Sequence, residues 1–482
     1  MKLLTYSLLL TLFISGVVMT SFTQDKLDRT VRPKAQGVPK IELPEIQKTA
    51  LKNGLKVWLV EQHELPIVAF NLVLQTGSDH DPNAKAGLAS MTADVLDEGT
   101  KSRTALQIAE QLEFIGANLG VNAFTDGSFV TLNTLTKHLD KALDVYVDVI
   151  VNPTFPQKDF DRLKQQRLTA LLQQKDRAAV IASLSFNKII YGSTHPYGVN
   201  PSGTESSIKE MTRDDVVKFY QMYYRPNNAT LIVVGDVKMN DVIQKLEALF
   251  ASWKSDNVPS VPLAVTPTID KRRLYLIDKV GAPQSEIRIG YPAVARNSPD
   301  FFPITLMNWV LGGQFSSRIN MNLREKHGFT YGARSAFIFN KQPGPFVASA
   351  GVTTSKTDSS VREFLSEIDK MHKDGITATE LDFVKKGLTG TFARNFETPG
   401  QIAGALQNLV LYSLPDNYYE TYLQNINKVS LDEVKNVSTK YLDSSKMGVV
   451  VVGDLKVVRG GLEKLQIGET VLCDVNGNTL TQ

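Results

Sequence analysis

The sequence predicts an α+β fold of two homologous tandem domains, each a largely antiparallel sheet with helices packed on one face. Three observations carry that reading. The first is length: 482 residues exceed what one core usually serves, since single domains run to about 100–250 residues. The second is an internal repeat, which must be found before any other reading is safe. The segment "MTRDDVVKFYQMYYRPNNATLIVVGDVK" from Met211 aligns without a gap on "VSLDEVKNVSTKYLDSSKMGVVVVGDLK" from Val429, placing Asp214 on Asp432, Tyr223 on Tyr441 and the V-V-G-D of Val233 to Asp236 on that of Val451 to Asp454. The third is that the order of elements upstream of these segments also repeats.

Alternating or β-branched runs give the first half strands at "LKVWLVEQ" (55–62), "IVAFNLVLQTG" (67–77), "GANLGVNAFT" (116–125) and "SFVTLNTLT" (128–136). Helical periodicity covers 87–98, 103–115 and several helices from His138 to Tyr224. The second half repeats the order, with strands "RRLYLIDK" (272–279), "SEIRIGYPAV" (285–294), "YGARSAFIFN" (331–340) and "PFVASAGVT" (345–353). Its helices fall at 301–311, 316–327 and from Thr357 to Leu442. Adjacent strands followed by helix runs argue helices on one face of a mostly antiparallel sheet. Between the halves, the proline-containing stretch 255–270 reads as a linker. The domains are then 25–254 and 271–457, with 458–482 as a C-terminal tail.

A hydrophobic content of 42%, a charged content of 21% and a net charge of +3 describe a globular protein without the basic excess of a nucleic-acid binder. After Met1-Lys2, "LLTYSLLLTLFISGVVMTSF" carries no charge until Asp25. This predicts a signal peptide over 1–24 and an exported chain, periplasmic or associated with the cell envelope; an uncleaved membrane anchor is the alternative. With Cys473 as the one cysteine, no intramolecular disulfide can form. The cores must hold the fold.

The first half carries "GSDHDPNAKAGLASMTADVLDEGTKSRTALQIAEQLEFIGANLGVNAFTD", the second "LREKHGFTYGARS", with "NGLKVWLVE" and "STHPYGVNPSGTESSIKEM" in order around them. The chain thereby resembles the insulinase/pitrilysin family of metallopeptidases, which includes the mitochondrial processing peptidase subunits and has a LuxS/processing-peptidase type of fold. In active members, the helix after the G-L-A turn carries His-x-x-Glu-His. Histidines at i and i+4 share a helix face and bind zinc, and the glutamate is the general base. Here those positions are Ser90, Ala93 and Asp94. The family's third ligand, a glutamate, is expected near Ala170, within "RLKQQRLTALLQQK", which has no Asp, Glu, His or Cys. The resemblance therefore implies that this chain holds no metal.

What the chain keeps is Arg324 and Tyr331, matching an arginine/tyrosine pair that in the family comes from the domain facing zinc and holds the substrate's backbone carbonyl. A guanidinium and a phenol can stabilise charge on a tetrahedral intermediate. The alternative is a surface arginine and a core tyrosine. Gly116, Asn122, Ala123 and Thr125 match the family's edge strand, which pairs with extended peptide substrates; here too a purely structural strand is the alternative. "GGQFSSR" (312–318) reads as a hinge or cap rather than a phosphate loop. The function implied is a non-zinc subunit of a heteromeric metallopeptidase. It would bind and orient peptides for a homologous zinc-bearing partner, with zinc in that partner and none in this chain. The alternative function is a catalytically inactive scaffold or peptide-binding chamber.

Overall fold

The computed structural model describes residues 45–480; the segment read as a signal peptide lies outside them. The first half forms β1 (Gln47–Ala50), β2 (Lys56–Glu61), β3 (Ile67–Leu74), β4 (Asn118–Ala123), β5 (Ser128–Leu135) and β6 (Ala229–Gly235). They lie in the order β1-β2-β6-β3-β5-β4. The second half forms β7 (Arg273–Asp278), β8 (Gln284–Val294), β9 (Thr330–Phe337), β10 (Gly344–Thr353), β11 (Gly448–Gly453) and β12 (Glu469–Cys473), in the order β12-β7-β11-β8-β10-β9. With the outermost β1 and β12 removed, the two orders are the same. Parallel pairs occur only where β2 meets β6 and β7 meets both β11 and β12; the other pairs are antiparallel.

The repeated V-V-G-D segments end β6 and β11, and every residue of both strands is buried. A strand that is apolar at every position is buried on both faces, and the structure shows what covers each. One face of each sheet packs on helices of its own half, through Leu72, Val130, Tyr146 and Phe219 in the first and Ile289, Ala348, Phe364 and Val434 in the second. The other face is covered by a helix from the opposite half. Five helices bear on the sites: α1 (Leu88–Val95), α2 (Ala105–Phe114), α3 (Gln157–Gln174), α4 (Ala178–Tyr191) and α5 (Pro399–Leu411). From the first half, α4 lays Ile181, Phe186 and Ile190 against Ile277, Val450 and Val452 of the second sheet. In exchange, α5 lays Ile402, Leu406 and Leu409 against Val73, Ile232 and Val234 of the first.

Burying a large aliphatic or aromatic side chain contributes about 1.5–3 kcal/mol, so each exchanged helix is a substantial clamp. The described residues accordingly fall in one compact unit. The stretch set apart in sequence as a tail completes a helix, Leu455–Lys464, and supplies the edge strand β12 with Cys473 buried. Residues 255–270 contain no regular element.

Candidate functional site

The motif helix α1 is entered at Gly87, whose φ of 89° is a left-handed conformation. A Cβ there would also come within 2.8 Å of Gly203, so glycine is required twice over. Asp81 accepts hydrogen bonds from the backbone N–H groups of Gly87 and Ala89, both at 2.8 Å. These are donors that a helix start leaves unpaired. Burial pushes the Asp81 carboxyl up to about 7, against the pull of those bonds.

On α1, Ser90 and Asp94 stand one turn apart, and the buried Ala93 between them offers a methyl group. Facing them from α3 is Arg167. Its Nη2 donates to Ser90 Oγ at 3.1 Å and to Asp94 Oδ2, while Nη1 donates to the Ser202 carbonyl at 3.0 Å. The Arg167 side chain is 12% exposed. A fixed guanidinium thus occupies the two positions to which the resemblance assigns histidine ligands. Ala170, one turn further along α3, is exposed and presents only its methyl; the residue that completes this cluster is Arg167, which a search for metal donors passes over. Zinc takes imidazole, thiolate or several carboxylates. One hydroxyl and one carboxylate already bound to a cation do not fit it. Among the described residues, no three His, Cys, Asp or Glu side chains gather closely enough to hold a metal.

Beside α1 lies the free edge of the first sheet. β4 pairs only with β5, so its outer backbone groups are open to an added strand. Gly116, at a φ of 65°, turns the chain from α2 toward β4. Asn122 is exposed and Ala123 half-buried on the strand. The Thr125 carbonyl, just beyond, accepts from Asp79 N at 3.0 Å.

At the equivalent place in the second half, β9 pairs only with β10. Tyr331 stands at its start, 90% exposed. Arg324 comes from a wide π turn, Met321–Lys326, and its guanidinium lies 4.6 Å from the centre of the Phe315 ring. Arg324 and Tyr331 line one groove of about 560 Å³ with Phe315, Arg288 and Arg334. The "GGQFSSR" stretch forms part of its wall. Gly312 packs so tightly that a Cβ would lie 2.3 Å from Ser335 N, which fixes the turn against β9. Neither the Ser90–Arg167–Asp94 cluster nor β4 lines this groove.

Comparison with known proteins identifies the family. The insulinase (peptidase family M16) model matches residues 56–189, and the peptidase M16 inactive domain model matches 210–388. The chain belongs to the insulinase family, peptidase M16. Within that family it is 26% identical to the "Non-peptidase homolog YmxG" of Helicobacter pylori, over 82% of this chain and 91% of that protein. It is 25% identical to the "Zinc protease PqqE" of the same organism, over 75% and 82%. Among solved structures, a peptidase M16 inactive domain from Pseudomonas fluorescens superposes with a TM-score of 0.79 at 29% identity, covering 85% of this chain and 98% of that one.

The M16-like segment "STHPYGVN" joins the two halves. Tyr197 Oη donates to Asp126 Oδ1 at 2.8 Å and accepts from Gln342 N at 3.0 Å, while Lys341 N donates to Asp126 Oδ2 at 2.8 Å. Asp126 lies in the β4–β5 turn, and Lys341 and Gln342 in the β9–β10 turn, so the homologous hairpin tips meet here. Burial raises the Asp126 carboxyl and lowers the Lys341 amine from their ordinary values. Buried His195 accepts from Tyr197 N through Nδ1 at 3.0 Å, and burial lowers its pKa. The family resemblance marks the segment in the sequence, but not the partners of Tyr197, which lie 71 and 145 residues away.

Proposed function

We propose that this M16 protein is the non-zinc subunit of an exported heteromeric peptidase. In this reading it binds and orients peptides that a homologous zinc-bearing partner hydrolyses. One contrast carries the reading: Arg167 closes the metal positions in the first half, while the Arg324–Tyr331 groove in the second is open. Arg324 and Tyr331 are the groups we assign to the substrate carbonyl, where two preorganised donors stabilise developing negative charge. The free edge of β4, with Gly116, Asn122, Ala123 and Thr125, is assigned to the extended peptide. The occurrence in one organism of two similar proteins, one named a non-peptidase homolog and one a zinc protease, supports a paired arrangement. The apolar N-terminus supports export to the periplasm or cell envelope.

The pure chain is expected to show no chelator-sensitive peptidase activity, and mixing it with a zinc-bearing homologue from the same genome is expected to produce it. Chelator-sensitive turnover by the pure chain would overturn the proposal. Complex formation whose turnover ignores Arg324 and Tyr331 would leave the scaffold role instead.

A further inference from the structure

Most shielded arginines in this protein are paired with carboxylates: Arg103 with Asp148, Arg167 with Asp94, Arg288 with Glu286 and Arg318 with Glu380. Half-buried Arg272 has no carboxylate but donates to the Ile467 carbonyl and to Ser444 Oγ; among the described residues, Arg296 has neither a carboxylate nor a second polar partner for its guanidinium beyond Tyr418. Half-buried in the connection from β8 to the helix Phe301–Asn308, it makes no ion pair with any described residue. Its guanidinium carbon lies 3.8 Å from the centre of the Phe301 ring and 4.8 Å from that of Tyr418. Nη2 donates to Tyr418 Oη, and Nε and Nη1 have no partner among the described residues. The cation borders a cavity of about 380 Å³, also lined by Phe392, Asn395, Tyr412 and Tyr419. Ligand sites typically span about 300–1,000 Å³ and combine apolar and aromatic walls with a few polar anchors. No residue of the Arg324–Tyr331 groove borders this cavity.

We infer that this cavity is a binding site for a carboxylate carried on a flat apolar body. Aromatic faces hold the guanidinium by cation–π attraction without neutralising it. The Nε–H and the Nη1 group, on opposite sides of the guanidinium, each offer a charge-assisted hydrogen bond that a carboxylate accepts more strongly than a neutral amide does. The surrounding phenyl and phenol rings take the apolar body. The carboxylate can come from a free small acid or from the aromatic C-terminal residue of a peptide, and the probes separate the two.

Titration of the full chain with N-acetyl-phenylalanine, its C-terminal amide and phenylacetate, followed by calorimetry, tests the site. The acid is expected to bind saturably and the amide at least about tenfold more weakly, the loss of a charge-assisted contact. Arg296→Gln is expected to reduce acid binding to the level of the amide. Asn395→Trp, at an exposed rim position, is expected to block both acids while leaving the melting temperature unchanged. Phenylacetate binding as tightly as N-acetyl-phenylalanine identifies a free-acid site; markedly weaker binding identifies a peptide C-terminus. Equal binding of acid and amide, no saturable binding of either acid, or binding indifferent to Asn395→Trp overturns the inference, even if Arg296→Gln fails to fold.

Discussion

The two halves place the same pair of helical segments before the same free edge strand and use them in opposite ways. In the first half, α1 and α2 are regular helices whose neighbouring charges are tied inward, Arg167 to Asp94 and Arg103 to Asp148. In the second, the equivalent segments loosen into π turns at Trp309–Gly313 and Met321–Lys326. There Arg324 keeps 36% of its side chain exposed and Tyr331 90% of its surface. A π turn holds an extra residue and so re-aims the side chains that follow; such turns recur at functional sites. The positions that the family resemblance assigns to metal ligands are closed by a cation from within, whereas the groove of the second half keeps Tyr331 exposed and Arg324 in only a partly exposed pair with its neighbour Glu325.

Rebuilding the lost site is the most severe way to break that contrast. Ser90→His, Ala93→Glu, Asp94→His and Ala170→Glu together restore the donor set, yet with Arg167 in place zinc is expected to bind at least about 100-fold more weakly than when Arg167→Gln is added. Two cations a few ångströms apart repel by several kcal/mol even at a partly exposed site. Zinc content and competition with a chelator measure this, and equal affinity with and without Arg167 would show that the guanidinium is not what closes the site. In the second half, Arg324→Ala with Tyr331→Phe is expected to lower turnover of the reconstituted complex by about 100-fold or more, the usual cost of removing such donors. Assembly, measured by sedimentation, should not change.

Most of the contrast was legible in the sequence on the side of pattern and hidden on the side of contact. The repeat, the V-V-G-D strands and the element order follow from periodicity, because a strand or helix repeats its apolar positions whatever it packs against. β1 and β12 escaped because they are short edge strands, β1 largely exposed, with little alternation to detect. The exchange of α4 and α5 escaped for another reason: "AAVIASLSFNKIIY" and "PGQIAGALQNLVL" say that these helices are buried, not in which half. Ser90, Ala93, Asp94, Arg324 and Tyr331 could be found by motif and spacing. Arg167 could not, since its bond to Ser90 spans 77 residues. Nor could the role of Tyr197, whose partners Asp126 and Gln342 are 71 and 145 residues away.

The Tyr197 latch sets how firmly the two sites are held in relation to each other. Tyr197→Phe keeps the ring and removes the hydroxyl, leaving Asp126 Oδ1 and Gln342 N without their partner. Buried polar groups left unpaired cost about 1–3 kcal/mol, and the denaturation midpoint is expected to fall accordingly. A neutral outcome would mean that apolar packing by α4 and α5 alone holds the halves together.

The finest difference between the halves lies in the carboxylates at the entrances to their equivalent helices, and it gives opposite responses to pH. Asp81, before α1, caps backbone N–H groups and has no cation bonded to it; burial lifts its pKa to about 7. Asp300, before Phe301–Asn308, is also shifted upward by burial, but hydrogen bonds from Lys440 and Tyr441 outweigh this and hold its pKa below the ordinary carboxylate value. A carboxyl with a raised folded-state pKa contributes fully below the unfolded value and loses that contribution as pH climbs toward 7. One with a lowered pKa contributes above the unfolded value and loses that as pH falls through the folded one. The wild type should therefore lose stability relative to Asp81→Asn between about pH 4 and 7, at up to about 1.4 kcal/mol per pH unit. Relative to Asp300→Asn it should lose stability only on acidification below about pH 4, by a smaller amount because Asp300 is partly solvated. Urea titrations of the three proteins from pH 3 to 8 measure both slopes. Slopes of the same sign would mean that the two helix entrances, for all their difference in partners, are electrostatically alike.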